Sequence, residues 1–279
     1  MTVYAVMVAY NPDVNRLNEA IRSIIAQVDK FIIVNNSETP LSLGFENIHI
    51  VELGKNKGIA FAQNRGIEIA EREKADFVLL SDQDTVYPSN YIKSFEKYLM
   101  TSEADVFCPA YYDNISNTYS PIMIEKLKSV SDATEPIFVS QAIASGSLIR
   151  TAIFNEVGKM DEKLFIDYVD FEWCWRVTAS NRKILAIPSI VINHNLGDCK
   201  KKVLWKQVTL RSDFRYFYIL RNGYFLAFHC KYLNLSEKIN LFYRTVRFSF
   251  VVLVIRHNLT IVKIICKSFW MGCFGILKN

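Results

Sequence analysis

The sequence predicts an α/β protein with a mostly parallel sheet flanked by helices, followed by a basic helical extension. Short apolar runs alternate with helix-like stretches through the first 100 residues. A hydrophobic fraction of 51%, with 13% aromatic residues, is typical of a packed core and argues against disorder. Charge and periodicity both change near residue 200. The predicted domains are therefore 1–200 and 201–279.

The first 100 residues alternate strand and helix at the spacing of a parallel sheet. Strands are predicted at Val3–Ala9, Lys30–Asn35, Ile48–Leu53 and Phe77–Leu80, and helices at Val14–Gln27, Ala60–Glu73 and Asn90–Met100. We expect strands and loops over 105–150, a helix within 161–180, a strand at 183–193 and helix from about residue 200. In such sheets ligands bind beyond the carboxyl ends of the strands.

Cysteine spacing and the first residues favour an intracellular protein. The six cysteines form no CxxC pair and no Cys/His zinc spacing, so we expect reduced thiols in the cytosol. The chain opens on Val3–Tyr10, which is typical of a buried strand rather than of a secretion signal.

The charge is divided unevenly along the chain. Residues 1–199 carry 18 Lys+Arg and 26 Asp+Glu, a net charge of −8, whereas residues 200–279 carry 15 and 2, a net charge of +13. The apolar run near Phe248–Ile255 is far shorter than the ~20 residues that span a bilayer. We expect the basic tail to lie on an anionic membrane surface. A buried helical pair or a homodimer surface is the alternative, and nucleic acid is not an expected partner because the acidic body opposes it.

Polar residues follow three of the predicted strands. Tyr10, Asn11 and Pro12 close the first strand, Asn35–Ser37 the second, and Ser81–Asp84 a later one. Each alone is typical of a strand that enters a turn. Together, at one edge of a parallel sheet, they predict a binding crevice.

Asp82 and Asp84 are candidate metal ligands. Side chains at i and i+2 of extended chain point to the same face, and two close carboxylates repel unless a cation lies beside them. Oxygen ligands suit Mg²⁺ or Mn²⁺, which often completes its shell with substrate phosphates. The alternative is a solvated turn.

The segment Gly54–Gly66 joins a strand to a helix and is rich in small residues. Close backbone approach and the helix N-terminus favour an anion there. The alternative is a tight loop followed by close helix packing.

Acids lie among aromatic residues at the predicted helix start in 161–180. Asp167, Asp170 and Glu172 are flanked by Phe171 and Trp173. A partly desolvated acid is a candidate general base; the alternative is simple stabilisation by the helix dipole.

Three further residues are candidates for anion or metal binding. Arg215 and Arg221 lie among aromatic residues, and either could clamp a diphosphate. A basic helix face is the alternative. His194 follows a predicted strand, where a lone histidine is usually structural.

Eight segments in order resemble the family 2 glycosyltransferases of the GT-A fold, especially the bacterial rhamnosyltransferases of O-antigen and capsule assembly. The resemblance covers about residues 3–222. The segments are AYNP (9–12), NNS (35–37), NKGIAFAQNRG (56–66), SDQD (81–84), SGSLI (145–149), FIDYVDFEWCWR (165–176), NHNLG (193–197) and RYFYILRN (215–222).

The resemblance implies a role for each matching site residue. Tyr10, Asn11, Pro12, Asn64 and Arg65 would contact the nucleotide or its diphosphate. Asp82 would lie by the ribose and sugar and Asp84 would bind the metal, with His194 as a further metal or diphosphate contact. Asn35 departs from the acid that many members carry near the base. Asp170 matches the family's usual base, and because Val169 replaces the acid before it, Asp167 is the rival.

The resemblance also implies the reaction. An inverting displacement would move a sugar, L-rhamnose from dTDP-L-rhamnose, onto a lipid-linked glycan acceptor at the inner face of the cell membrane. UDP-glucose and UDP-galactose are the alternative donors. A nucleotidyltransferase would instead show a Gly-rich loop with Arg or Lys after the first strand, and a non-catalytic sugar-nucleotide sensor would need no base.

Overall fold

The computed structural model describes residues 1–113, 118–119, 122–125, 128–130, 133–194, 200–203 and 206–277. The chain falls into two compact units. The first comprises Met1–Glu162 and Asp170–Asn195, and the second Lys163–Val169 and Leu196–Asn279. The functional division at residue 200 that the sequence predicts stays a prediction.

The first unit alternates strands and helices, as the sequence predicts. Its helices are α1 (Val14–Ile24), α2 (Ile59–Arg72), α3 (Tyr91–Thr101), α4 (Ile153–Val157) and α5 (Val169–Ala179), with 3-10 turns at Ile25–Gln27 and Glu162–Leu164. Its strands are β1 (Val3–Ala9), β2 (Lys30–Asn35), β3 (Ile48–Glu52), β4 (Phe77–Asp82), β5 (Val106–Asp113), β6 (Thr118–Tyr119), β7 (Ile122–Glu125), β8 (Lys128–Val130), β9 (Ile137–Val139), β10 (Leu148–Arg150) and β11 (Ile184–His194).

One sheet organises the first unit, and it is mostly parallel. Its strand order is β3-β2-β1-β4-β10-β5-β11-β9, with β6 paired to β5. The pairs β1–β2, β1–β4, β2–β3 and β5–β11 are parallel. Short β10 runs antiparallel between β4 and β5, and β9 runs antiparallel on β11. The predicted fold class is confirmed, with β10 and β9 as antiparallel additions.

Both faces of β1 are covered by helices. Val3, Ala5 and Met7 belong to a buried core that includes residues of α1 and α3. On the other face α2 approaches closely at Gly66, where a Cβ would lie 2.2 Å from Val6 Cγ1. The near-continuous burial of β1 explains its apolar run, because a strand covered on both faces has no solvated side.

Among its described residues, the second unit contains an antiparallel pair of strands and three helices. The strands are β12 (Lys200–Val203) and β13 (Lys206–Thr209), and the helices are α6 (Asp213–His229), α7 (Leu235–Arg256) and α8 (Leu259–Cys273). The prediction of helix from residue 200 is therefore wrong over the hairpin. Val203, Val208 and Thr209 are β-branched and favour extended chain.

Small and polar residues set the packing of the three helices. Gly223 of α6 faces Thr245 of α7, whose Oγ1 lies 2.5 Å from where a Cβ would be. The Tyr224 and Ser249 hydroxyls are hydrogen-bonded at 2.9 Å. Asn234 and Glu237 form a capping box at the start of α7. No helix among the described residues is both long and apolar enough to cross a membrane.

Candidate functional site

The carboxyl ends of β1, β2 and β4 meet at one edge of the sheet. The parallel register pairs Ala9 with Asn35 and Val8 with Asp82. The Asn36 N–H donates to the Ala9 carbonyl at 2.7 Å. The structure thus brings together the three strand ends that the sequence predicts at one edge.

Tyr10 and Asn11 follow β1 at this edge of the sheet. The Tyr10 N–H donates to Gln83 Oε1 at 2.7 Å, and the Asn11 N–H donates to Ser37 Oγ at 2.8 Å. Asn11 has φ 42°, a conformation that asparagine tolerates. The Tyr10 side chain is 47% exposed, and Pro12 is half-buried. An exposed aromatic ring at a strand end offers a flat face to a planar ligand.

Asn35 is fully buried and hydrogen-bonded within the fold. Its Nδ2 donates to the Thr39 carbonyl at 2.8 Å and to Glu52 Oε2 at 2.7 Å. Its Oδ1 accepts from the Ser37 N–H at 3.2 Å. The amide therefore organises the turn after β2, and its contact with a nucleotide base stays a prediction.

The β4 end is held by a hydroxyl from the SGS loop, residues 145–147. Ser145 Oγ accepts from the Asp82 N–H at 3.0 Å and is hydrogen-bonded to Thr85 Oγ1 at 2.9 Å. Gly146, at φ 79°, donates its N–H to the Leu80 carbonyl at 2.7 Å. These contacts fix the backbone that carries Asp82, which is half-buried, and Asp84, which is exposed.

Two buried tyrosines support the same loop, and a third supports the end of β4. Tyr91 donates to the Gly146 carbonyl at 2.6 Å, Tyr111 to the Ser145 carbonyl at 2.7 Å, and Tyr87 to Ser81 Oγ at 2.8 Å. Burial raises the pKa of Tyr87 and raises those of Tyr91 and Tyr111 well above the usual value, so the hydroxyls remain protonated donors.

Sequence reasoning missed the contribution of Ser145, Thr85 and the three tyrosines. The only signal was the SGSLI segment, whose small polar residues precede an apolar run.

Two asparagines order the loop before α2. Asn36 Nδ2 donates to Asn56 Oδ1 at 3.1 Å, and Asn36 Oδ1 accepts from the Lys57 N–H at 2.7 Å. Gly58 has φ 88° and donates its N–H to Asn56 Oδ1 at 2.9 Å. This position needs glycine because a side chain disfavours that backbone conformation.

Asn64 and Arg65 contact the segment that follows α4. Buried Asn64 donates to the Met160 carbonyl at 3.0 Å and to Glu162 Oε1 at 2.9 Å, and it accepts from the Met160 N–H at 2.9 Å. Arg65 pairs with Glu68 at 2.6 Å and lies over the Phe61 ring at 4.8 Å. Their contact with a nucleotide stays a prediction.

Asp170 lies in the first turn of α5. Its Oδ1 accepts from the Phe171 N–H at 3.0 Å. The half-buried side chain lines a small apolar cavity with Leu80, Trp173 and Cys174. A carboxylate at the border of such a cavity is only partly hydrated, which suits proton transfer.

Glu172, two residues after Asp170, has a structural role. It is buried, and burial raises its pKa while Arg176 opposes the shift. Arg176 Nε lies 2.9 Å from Glu172 Oε1, and its Nη atoms donate to the Val157 and Lys159 carbonyls at 2.8 and 2.6 Å. Glu172 therefore holds Arg176 against the loop after α4.

Asp167 lies in the second unit and is paired with Arg215. Arg215 Nη2 donates to Asp167 Oδ1 at 2.6 Å and its Nε to Oδ2 at 3.3 Å. Arg221 is fully buried and donates to the Lys163 and Leu164 carbonyls at 2.8 and 3.1 Å. The diphosphate contacts of both arginines stay predictions.

His194 is the last residue of β11. Its side chain and residues 195–199, which hold most of the NHNLG segment, lie outside the described residues. Among the described residues no three His, Cys, Asp or Glu side chains come together as a metal cluster.

Comparison with known proteins identifies the family. A model of glycosyl transferase family 2 matches residues 4–158, more than half of the chain. The chain belongs to glycosyltransferase family 2. This glycosyltransferase is also 33% identical over 236 residues to the dTDP-rhamnosyl transferase RfbF of Shigella flexneri, covering 80% of this chain and 79% of that protein.

Solved structures confirm the GT-A fold of the glycosyltransferase. GalNAc-T7 with UDP, GalNAc and Mn²⁺ superposes with a TM-score of 0.57 at 14% identity, covering 88% of this chain and 54% of that one. S. aureus TarS gives 0.58 at 16% identity, covering 88% and 43%. TarS 1–349 with UDP gives 0.58 at 15%, covering 93% and 76%. The chain thus spans about half of the first two proteins, and the likeness at these identities concerns the fold alone.

We predict that Ser145→Ala lowers kcat/KM of the glycosyltransferase about tenfold. Its hydroxyl bonds both sides of the turn that carries Asp82 and Asp84, and one such hydrogen bond contributes about 1 kcal/mol. Steady-state kinetics measures the effect. Ser147→Ala is the comparison variant from the same loop, because its hydroxyl donates to the Ile143 carbonyl rather than bonding the turn after β4. Equal losses in both variants would contradict a specific role for Ser145.

Proposed function

We propose that this glycosyltransferase is an inverting, metal-dependent rhamnosyltransferase. It would move L-rhamnose from dTDP-L-rhamnose to a hydroxyl of a lipid-linked oligosaccharide in bacterial surface polysaccharide synthesis. The observation that carries the donor is the 33% identity to a dTDP-rhamnosyl transferase across four-fifths of the chain. UDP-glucose and UDP-galactose remain the alternative donors. The polar edge after β1, β2 and β4 supports binding of a nucleotide sugar.

The carboxylates after β4 fit a divalent metal. Asp82 and Asp84 offer oxygen ligands on a turn that Ser145 and Thr85 hold in place. Two protein carboxylates suit Mg²⁺ or Mn²⁺, which leaves room for donor phosphates. When bound, the ion would neutralise charge that builds on the leaving diphosphate.

Asp170 is the proposed base. Its carboxylate accepts the proton of the acceptor hydroxyl as that oxygen attacks the anomeric carbon from the face opposite the diphosphate. The bond from the anomeric carbon to the diphosphate breaks, and the configuration inverts. Asp167, which is paired at two points with Arg215, remains the rival for this role.

The purified protein should transfer sugar from dTDP-L-rhamnose in the presence of Mg²⁺ or Mn²⁺, and removal of the metal by chelation should abolish transfer. Transfer to an extracted lipid-linked acceptor is measured against UDP-glucose and UDP-galactose. Turnover of a UDP-hexose without turnover of dTDP-L-rhamnose would show that the alternative UDP-sugar is the donor. Full activity in excess chelator would contradict the metal's role.

Asp170→Asn should reduce the single-turnover rate about 10²–10⁴-fold, because it retains shape and hydrogen bonding but cannot accept the proton. Saturating donor separates chemistry from binding. Asp167→Asn is the matched comparison. Loss of rate in Asp167→Asn alone would identify Asp167 as the base. Wild-type rates in both variants would contradict the proposed displacement mechanism.

The second unit supports a peripheral membrane position at the inner face of the membrane. Exposed apolar residues recur every three or four positions along α7: Leu235, Ile239, Tyr243, Val246, Phe250 and Val254. Exposed Arg244 and Arg247 lie on the same helix. On α8, Trp270 is exposed, as are Lys263 and Lys267. Apolar and cationic groups mixed on a helix surface suit the headgroup region of anionic lipid.

Binding to vesicles that contain phosphatidylglycerol should therefore be salt-sensitive. Each basic residue near the surface contributes about 1 kcal/mol, and salt screens that attraction. In a sedimentation assay, the double substitution Phe250→Ser/Trp270→Ser should weaken binding, whereas Phe138→Ser, an exposed phenylalanine of β9, should not.

Three results would contradict this position. Binding that survives both high salt and alkaline carbonate would indicate integral insertion. Equal binding to phosphatidylcholine vesicles would remove the role of charge. A dimer in solution that the double substitution converts to monomers, without vesicle binding by the wild type, would identify the surface as a homodimer interface.

A further inference from the structure

Residues 163–168 of the second unit adopt a strained backbone. Phe165, Asp167 and Tyr168 have φ of 67°, 63° and 66°. Left-handed backbone is uncommon for residues other than glycine and is costly for bulky ones. Such conformations persist only where surrounding contacts over-determine them, and they cluster at functional sites. Specific contacts with neighbouring residues must therefore stabilise the segment in this conformation.

Two adjacent residues of α6 hold the segment by its carbonyl oxygens. Asn222 Nδ2 lies 2.9 Å from the Leu164 oxygen, 2.8 Å from the Ile166 oxygen and 2.9 Å from the Asp167 oxygen. Arg221 Nη2 donates to the Leu164 carbonyl at 3.1 Å and also to that of Lys163.

Arg221 and Asn222 also brace each other. Asn222 Oδ1 accepts from Arg221 Nε at 3.0 Å and from Nη2 at 2.9 Å. The guanidinium lies over the Tyr218 ring at 4.6 Å. Both residues are fully buried. We name Arg221 and Asn222 the carbonyl clamp.

Burying a guanidinium is costly unless its N–H groups are satisfied, and apolar residues often stabilise a core as well as buried charge does. The carbonyl clamp donates hydrogen bonds from the Arg221 guanidinium and the Asn222 amide to main-chain carbonyls of one strained segment. That segment presents Asp167 to Arg215 and runs directly into α5, which begins at Val169 with Asp170 in its first turn. The strained segment is therefore continuous in the chain with the helix that carries the proposed base.

We propose that the carbonyl clamp is a positioning device for sugar transfer: Arg221 and Asn222 hold residues 163–168 in their strained form and thereby set the orientation of Asp170. This inference rests on the proposed function, in which Asp170 is the base. It differs from the role that the sequence analysis gives Arg221, which is a clamp on the diphosphate.

Asn222→Ala removes the shared donor of the clamp. The single-turnover rate with saturating donor should fall about 10–100-fold, because a small misplacement of a reacting group costs up to about 10²-fold. Affinity for dTDP by calorimetry should stay within about twofold, since a group that only positions the base leaves ground-state binding intact. Amide hydrogen exchange in 163–169 should become faster as the strained form is released.

Ser268→Ala is the matched control. Ser268 is equally buried in the second unit and donates to the Phe217 carbonyl at 3.1 Å, away from the strained segment. It should change neither the rate nor the exchange of 163–169. If Asn222→Ala does not fold, Asn222→Ser, which keeps one hydroxyl donor, replaces it, with thermal melting as the check.

A double-mutant cycle with Asp170→Asn decides the mechanism. If the clamp acts through Asp170, Asn222→Ala should slow the Asp170→Asn protein by less than about twofold, because the group that it positions can no longer accept the proton. Fully additive losses would overturn the inference. So would a lost dTDP affinity in Asn222→Ala, or faster exchange with an unchanged rate. A wild-type protein that transfers no sugar would instead contradict the proposed function, so the two failures are distinguishable.

Discussion

Parallel pairing of β1 with β2 and β4 is the constraint on which the candidate site depends. Parallel strands run in the same direction, so whatever follows each of them emerges at one edge. At that edge many backbone N–H and C=O groups no longer pair with a neighbouring strand, so they need other hydrogen-bond partners. Most of the polar residues there serve this need: Asn35 closes the turn after β2, Asn36 orders the loop before α2, and Ser145 closes the turn after β4. The side chains of Tyr10 and Asp84 are exposed at the same edge.

Rigidity at this edge comes from donors that cannot be titrated at neutral pH. Tyr87, Tyr91 and Tyr111 are buried with raised pKa values, and their hydroxyls reach the SGS loop or Ser81. A turn that carries the proposed metal-binding carboxylates would experience strong electric fields whenever charge enters or leaves the site. Neutral, protonated donors behind it keep the backbone fixed without adding a second charge to the site. The arrangement separates the charged groups that are proposed to bind the metal from the neutral groups that hold their backbone.

The sequence predicts much of this fold, because its signals there are local. The strands Val3–Ala9 and Lys30–Asn35 were apolar runs bounded by turns, and α2 followed a glycine-rich loop. The hairpin at 200–209 was not predicted, since a run of lysines carries no clear period. The sequence indicates which residue types belong to the candidate site, but it does not indicate which residues they hydrogen-bond. Asn64 bonds to Met160 across 96 positions, and Asn222 to Asp167 across 55, and tertiary packing alone decides such pairs.

The basic charge of the second unit has two physically distinct uses. Arg244, Arg247 and the lysines of α8 are exposed, where water solvates them and salt screens them. They are the groups proposed to attract an anionic surface. Arg221 is buried, where screening is weak and each N–H must find a partner, so it acts only on atoms it touches. Net charge alone could not separate these uses, because it counts both equally. Burial separates them: arginine is proposed as a membrane contact where it is exposed and as a backbone clamp where it is buried.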